Sequence, residues 1–163
     1  MKTCLWLVIC SLVLAAFSAQ AQEVPDISLP DPRGWKHNLQ ALARAGGLVL
    51  VISAPTLEDR SAQEAWSKLL SATKGPGNGT FVMVEDMRDA FIKSIALHDM
   101  KEDWKPGDVP LLLVDNTGTL YSVLGVRSED TVVFVYDTAG KRIERYAGVP
   151  SRAQAEAIWG LLK

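Results

Sequence analysis

The chain has 163 residues, 48% of them hydrophobic and 22% charged, with a formal net charge of −2. These are ordinary values for one globular domain. Without a Lys/Arg stripe, that balance excludes an electrostatic footprint for nucleic acid.

Met1 to Ala21 reads as a targeting segment. Lys2 is the positive start, and Cys4 to Phe17 is an apolar stretch too short to span a bilayer comfortably. Ala19-Gln20-Ala21 matches the small-x-small cleavage signature, so cleavage is expected after Ala21. The expected organisation is a signal peptide over 1–21 and a single domain over 22–163, exported to the periplasm, with no membrane span after processing. Cys10 does not suit lipidation, because Ile9 stands where a small residue is needed. Both cysteines of the chain, Cys4 and Cys10, fall inside this segment. The processed domain would therefore hold no thiol. Thiol–disulfide exchange requires a thiolate, so that reaction is excluded once the segment is removed.

Glu23 to Leu29 predicts a short extended edge, closed by Pro30 and Pro32. The turn Asp31-Pro32-Arg33-Gly34 leads to His37-Asn38-Leu39, and Leu39-x-x-Leu42 predicts a short helix ending at Gly46-Gly47. Leu48 to Ile52 is a continuous apolar run, as expected of a strand covered on both faces. Ser53-Ala54-Pro55 breaks it. Thr56-x-x-Asp59 then supplies a capping-box-like start for a helix whose buried stripe is Ala62, Trp66, Leu69 and Leu70.

Lys74 to Gly79 is a surface loop, and its formal glycosylation sequon, Asn78-Gly79-Thr80, reads better as a tight turn. Thr80 to Val84 predicts the next strand, with Glu85 and Asp86 at its end. Asp86 or Asp89 would cap a helix from Arg88 to about Asp103, with Phe91, Ile92, Ile95 and Ala96 facing the core. Lys105-Pro106-Gly107 stops it. The order β-α-β-α, with connections of this length, implies parallel crossovers.

Two apolar strands ending in Asp-x-x-Gly follow, Leu111 to Gly118 and Val132 to Gly140. Asp suits the first and Gly the fourth position of a type I turn. The first turn leads into a short helix over Leu120 to Leu124. The second leads into a hairpin partner strand over Lys141 to Tyr146. Ser151 caps a terminal helix with Ala155, Ile158 and Leu162 inward.

This order of elements resembles the thioredoxin-like superfamily, in its TlpA-type thiol-reductase and peroxiredoxin-related branches. The resemblance implies an α/β fold: a single domain with a thioredoxin-like central mixed sheet flanked by helices. The catalytic Cys-x-x-Cys of the active branches would fall on Leu57 and Arg60, and neither is a cysteine. The position of their cis-proline would fall on Thr131. The targeting segment, the helix start from Thr56 to Ser61 and the stretch Ser128 to Lys141 are similar to the cysteine-less periplasmic YtfJ-like proteins. No activity comes with that likeness.

A thioredoxin-like order of elements without its nucleophile leads to the expectation of a redox-inactive binding or adaptor module, with no cofactor and no catalytic residue set. Its surface would be the former active-site corner: Pro55, Thr56, Leu57, Glu58, Asp59, Arg60 and Thr131. The partner would be an unidentified envelope protein or peptide. A helix N-terminus can bind anions, but Glu58 and Asp59 already occupy this one, so a simple cap is the competing reading. The alternative function is a small-ligand or metal-binding protein, or a non-thiol enzyme, on an acidic sheet edge formed by Glu85, Asp86 and Asp89, joined by Asp115 or Asp137. No ordered metal-ligand spacing supports it, and caps and turns account for each residue separately. His37 and His98 lack the spacing of a zinc site. Of the tryptophans, Trp66 and Trp159 fit the core, whereas Trp104, between a charged helix end and Lys-Pro-Gly, is the candidate exposed aromatic anchor.

Overall fold

The computed structural model describes residues 22–52, 60–75, 79–88, 93–126 and 131–162. The framework is a five-stranded sheet in the order β5-β4-β3-β6-β7, with β3 spanning Leu48–Ile52, β4 Thr80–Asp86, β5 Leu111–Asp115, β6 Val132–Tyr136 and β7 Arg142–Ala147. The run Leu48–Ile52 becomes the central strand because it can be buried on both faces, and every one of its residues is. β3 runs parallel to β4, and β4 parallel to β5, as the crossover lengths require. β6 lies antiparallel to β3, with Ile52 opposite Val132 and Leu48 opposite Tyr136. β7 returns antiparallel to β6.

Strand side chains alternate between faces, and this period sorts the core into two layers. Leu48, Leu50 and Ile52, with Val82, Val84, Phe134 and Tyr136, meet helices α1 (Leu39–Arg44) and α4 (Thr119–Leu124). Val49, Val51, Phe81, Met83, Val133 and Val135 meet α2 (Arg60–Thr73) and α5 (Arg152–Leu161). Helix α3 (Lys93–Asp103) is the remaining crossover. Trp66 and Trp159 fill the second layer, and each satisfies its indole N–H on a backbone carbonyl: Gly148 at 2.7 Å and Leu70 at 3.0 Å. Ser151 caps α5 through a reciprocal capping box with Gln154.

The Asp-x-x-Gly turns share one device, and the structure adds a third to the pair evident at the strand ends. In each, the carboxylate accepts from the backbone N–H groups two and four residues on: Arg33 and Trp35 for Asp31, Thr117 and Thr119 for Asp115, Ala139 and Lys141 for Asp137. The fourth residue turns the chain at positive φ: 93° at Gly34, 67° at Gly118 and 79° at Gly140. The Asp31 turn closes a small separate sheet that was not expected, β1 (Ser28–Pro30) antiparallel to β2 (Lys36–Asn38). Lys36-His37-Asn38 has no apolar alternation, so backbone pairing and the turn carboxylate hold β2 rather than side-chain burial. His37 Nε2 donates to the buried Asp31 carboxylate at 3.0 Å.

Two expectations need correction. Trp104 is buried rather than an exposed anchor: its indole N–H reaches the Pro110 carbonyl at 3.3 Å. Among the described residues the exposed tryptophan is Trp35, 64% accessible beside the Asp31 turn. Ile95 is 55% exposed instead of facing the core. Its neighbours Phe91 and Ile92 lie outside the described residues, as does the Ala96 side chain. Leu97 and Met100, three residues apart on one face of α3, are half-buried, whereas Ile95 lies off that face.

Two outcomes test this packing. Trp66→Ala should cost about 3–5 kcal/mol in denaturant unfolding, as deletion of a buried Trp does, whereas Trp35→Ala should stay within ~0.5 kcal/mol. The Asp31 carboxyl is desolvated by burial, which raises its pKa. The hydrogen bond from His37, the N–H groups of Trp35 and Arg33, and the His37 charge outweigh that and hold it below the ordinary 3.8. A lowered folded value means its contribution is present above the unfolded pKa and lost as pH falls through the folded one. The stability gap between wild type and Asp31→Asn, followed by chemical unfolding, should therefore be full at neutral pH and shrink below about pH 4.

Candidate functional site

Sheet register decides which candidate residues share an edge. The C-terminal ends of β3, β4 and β5 lie on the same side as the N-terminal end of the antiparallel β6. Thr131 therefore stands beside the end of β3, where the chain leaves for the loop leading to α2. Of the corner residues singled out from the sequence, Pro55, Thr56, Leu57, Glu58 and Asp59 lie outside the described residues. Arg60 opens α2, and Thr131 precedes β6.

Thr131 has an uncommon environment. It is 2% exposed and its carbonyl accepts from the Gly148 N–H at 3.1 Å, but its hydroxyl has no hydrogen-bond partner. A buried hydroxyl left without a partner costs about 1–3 kcal/mol. Nothing in the local sequence signals this, because burial of that position comes from the hairpin β6–β7 folding back onto β3.

The acidic residues turn out to be structural. Asp86 and Asp115 are opposite one another in the β4–β5 register, yet each is engaged by protein donors. Asp86 holds Arg88 in a bidentate pair, with Arg88 Nη2 at 2.6 Å and Arg88 Nε at 2.9 Å from Oδ2, and also accepts the Arg88 N–H. Asp115 accepts the N–H groups of Thr117, Thr119 and Leu120 and thereby starts α4. Arg88 continues over the Tyr121 ring, 5.3 Å from its centroid, and Gly118 leaves room for it: a Cβ there would fall 1.9 Å from Arg88 Cδ. Glu85 accepts from Gln63, a buried residue of α2 that sequence reasoning did not single out.

Asp137 is excluded from this group. Because β6 is antiparallel, Asp137 ends at the opposite edge of the sheet, beside the start of β3. Asp89 lies outside the described residues, so its capping role does too. Asp86 caps no described helix and instead bonds Arg88. Among the described residues, no group of three or more His, Cys, Asp or Glu is placed to hold a metal ion. His98 is exposed on α3, and His37 is bound to Asp31.

No protein-family model matches the sequence, and no curated protein matches it either. Solved structures do. The exposed lipoprotein thioredoxin Etrx1 of Streptococcus pneumoniae superposes with a TM-score of 0.63 at 19% identity, covering 85% of this chain and 100% of that one. A thioredoxin-family thiol:disulfide interchange protein of Chlorobium tepidum gives 0.62 at 17%, covering 89% and 98% of the two chains. A secreted disulfide oxidoreductase of Mycobacterium tuberculosis gives 0.59 at 14%, covering 84% and 96%. The fold is thioredoxin-like. It is an α/β domain whose mixed five-stranded sheet is flanked by helices. On this thioredoxin-like frame the chain has no cysteine anywhere from residue 22 onward.

Thr131→Val tests the unpartnered hydroxyl. Thermal unfolding should show unchanged or higher stability, because removing a buried polar atom that lacks a partner relieves its desolvation cost. A clear loss of stability would mean that the hydroxyl is satisfied within the fold.

Proposed function

We propose that residues 22–163 form a redox-inactive periplasmic module that binds a protein or peptide through the former active-site corner. The observation that carries this reading is a fold kept without its nucleophile. The frame matches thiol–disulfide oxidoreductases over most of their length, while the cysteines of this chain are confined to Cys4 and Cys10. Export fits the targeting pattern of Met1 to Ala21, and among the described residues no helix is long and apolar enough to cross a membrane. Within this reading the chain is similar to the cysteine-less YtfJ-like proteins.

The same corner offers recognition chemistry. Thr131 lies buried beside the end of β3, Arg60 heads α2, and Leu57 provides an apolar residue in the sequence that joins β3 to α2. A partner segment at this corner would be recognised in part through the Leu57 side chain. The engagement of Asp86 and Asp115 by Arg88 and by backbone N–H groups takes away most of what a metal or small-ligand site at the acidic edge would need.

Capture from envelope extract by crosslinking, with residues 22–163 compared against their Leu57→Asp variant, tests the reading. Wild type should recover a partner that the variant loses while retaining its circular dichroism and melting temperature. Equal capture by both would remove the corner as a recognition surface. In parallel, wild type should not accelerate reduction of insulin by dithiothreitol, and the Leu57→Cys/Arg60→Cys variant should acquire that activity if these positions match the lost motif.

A further inference from the structure

A second surface, separate from the corner, lies between α2 and α3. Its floor is apolar, formed by Met83 of β4 and Leu112 of β5, with Met100 of α3 and Trp104 at its side. Among the described residues its carboxylates are Glu85, Asp99, Asp103 and Asp108, and none of its described lining residues is Lys or Arg. Towards the first turns of α2 the groove continues past Glu64 and Lys68, whose opposite charges offset each other. The cleft has a volume of about 710 Å³. That lies within the range of about 300–1,000 Å³ typical of organic-ligand sites and far exceeds the space of one ion.

The placement of the charges selects among occupants. Asp99 and Asp103 are four residues apart on α3 and so share one face of the helix. Asp108 lies beyond the helix end, where one of its oxygens accepts the Lys105 N–H at 2.7 Å. Glu85 stands across the cleft on β4 and is held by Gln63 of α2. The carboxylates are thus spread along the cleft, and no three of them converge as a metal would require. Spread negative charge above an apolar floor complements a chain that alternates cationic and apolar side chains. Cationic heads would meet the rim while aliphatic stems and apolar neighbours cover Met83, Met100 and Leu112.

From this charge complementarity we infer that the groove between α2 and α3 docks an extended basic segment of a partner protein, one in which Lys or Arg alternates with apolar residues. The carboxylates Glu85, Asp99, Asp103 and Asp108 are residues distinct from Leu57 and Thr131.

Fluorescence anisotropy with a rhodamine-labelled peptide of alternating lysine and leucine provides the test. Controls are a glutamate–leucine peptide and a lysine–glycine peptide of equal length. The lysine–leucine peptide should bind saturably to residues 22–163, weaken as salt rises, and exceed both controls. Asp99→Asn/Asp103→Asn should weaken it about three- to tenfold, the scale of two exposed charge contacts, with an unchanged melting temperature. Equal binding to that variant, or equal binding of the lysine–glycine peptide, overturns the proposal. Displacement of the peptide by millimolar calcium would assign the groove to a cation and overturn it too. Self-association of the domain that disappears in the same variant would assign the groove to a second copy of this chain.

Discussion

Everything in this molecule hangs on the burial of Leu48–Ile52. This strand is hydrogen-bonded on both sides and apolar on both faces, and its five residues contribute alternately to the two core layers. Removing such a strand from water accounts for a large share of the hydrophobic stabilisation available to a domain of this size. It also fixes direction. With β4 and β5 parallel to it on one side and β6 antiparallel on the other, the two ends of the sheet acquire different inventories. One end receives Asp86, Asp115 and Thr131. The other receives Asp137, next to the glycine-rich approach to β3 at Gly47, whose φ is 88°.

Turn chemistry completes what the sheet begins. Asp31, Asp115 and Asp137 each spend a carboxylate on closing a turn with backbone N–H groups. Of these, Asp31 and Asp115 are buried, a state tolerable for a carboxylate when its oxygens are hydrogen-bonded. Asp86 reaches the same condition through Arg88, which also bridges to Tyr121 on α4 and ties the end of β4 to the helix after β5. An acidic sheet edge that looks like a ligand site is therefore mainly a set of structural clasps. The carboxylates with room for a partner are those displaced from the edge onto α3 and the segment after it.

Two surfaces follow from one frame. At the corner, the position beside β3 carries a buried hydroxyl without a hydrogen-bond partner, next to the strand end from which the chain leaves toward α2. Between α2 and α3, the buried Met83 and the half-buried Leu112 form the floor of a cleft with carboxylates along it.

Much of the architecture could be read from residues in order. Continuous apolar runs marked β3, β4, β5 and β6, turn formers marked their ends, and Ser151 announced the terminal helix. These signals are local: period, breakers and caps act within a few residues, so one dimension suffices to read them. That the chain has no cysteine beyond Cys10 also needs no structure. Tertiary structure decided whatever depends on partners distant along the chain. The burial of Trp104 comes from the Pro110 carbonyl and its surroundings, the exposure of Ile95 from the placement of α3, and the existence of β2 from pairing with β1. The separation of Asp137 from Asp86 and Asp115 comes from one antiparallel pairing. Composition alone cannot assign a carboxylate to a clasp or to a groove, because the assignment depends on which donor the folded chain brings within hydrogen-bond reach.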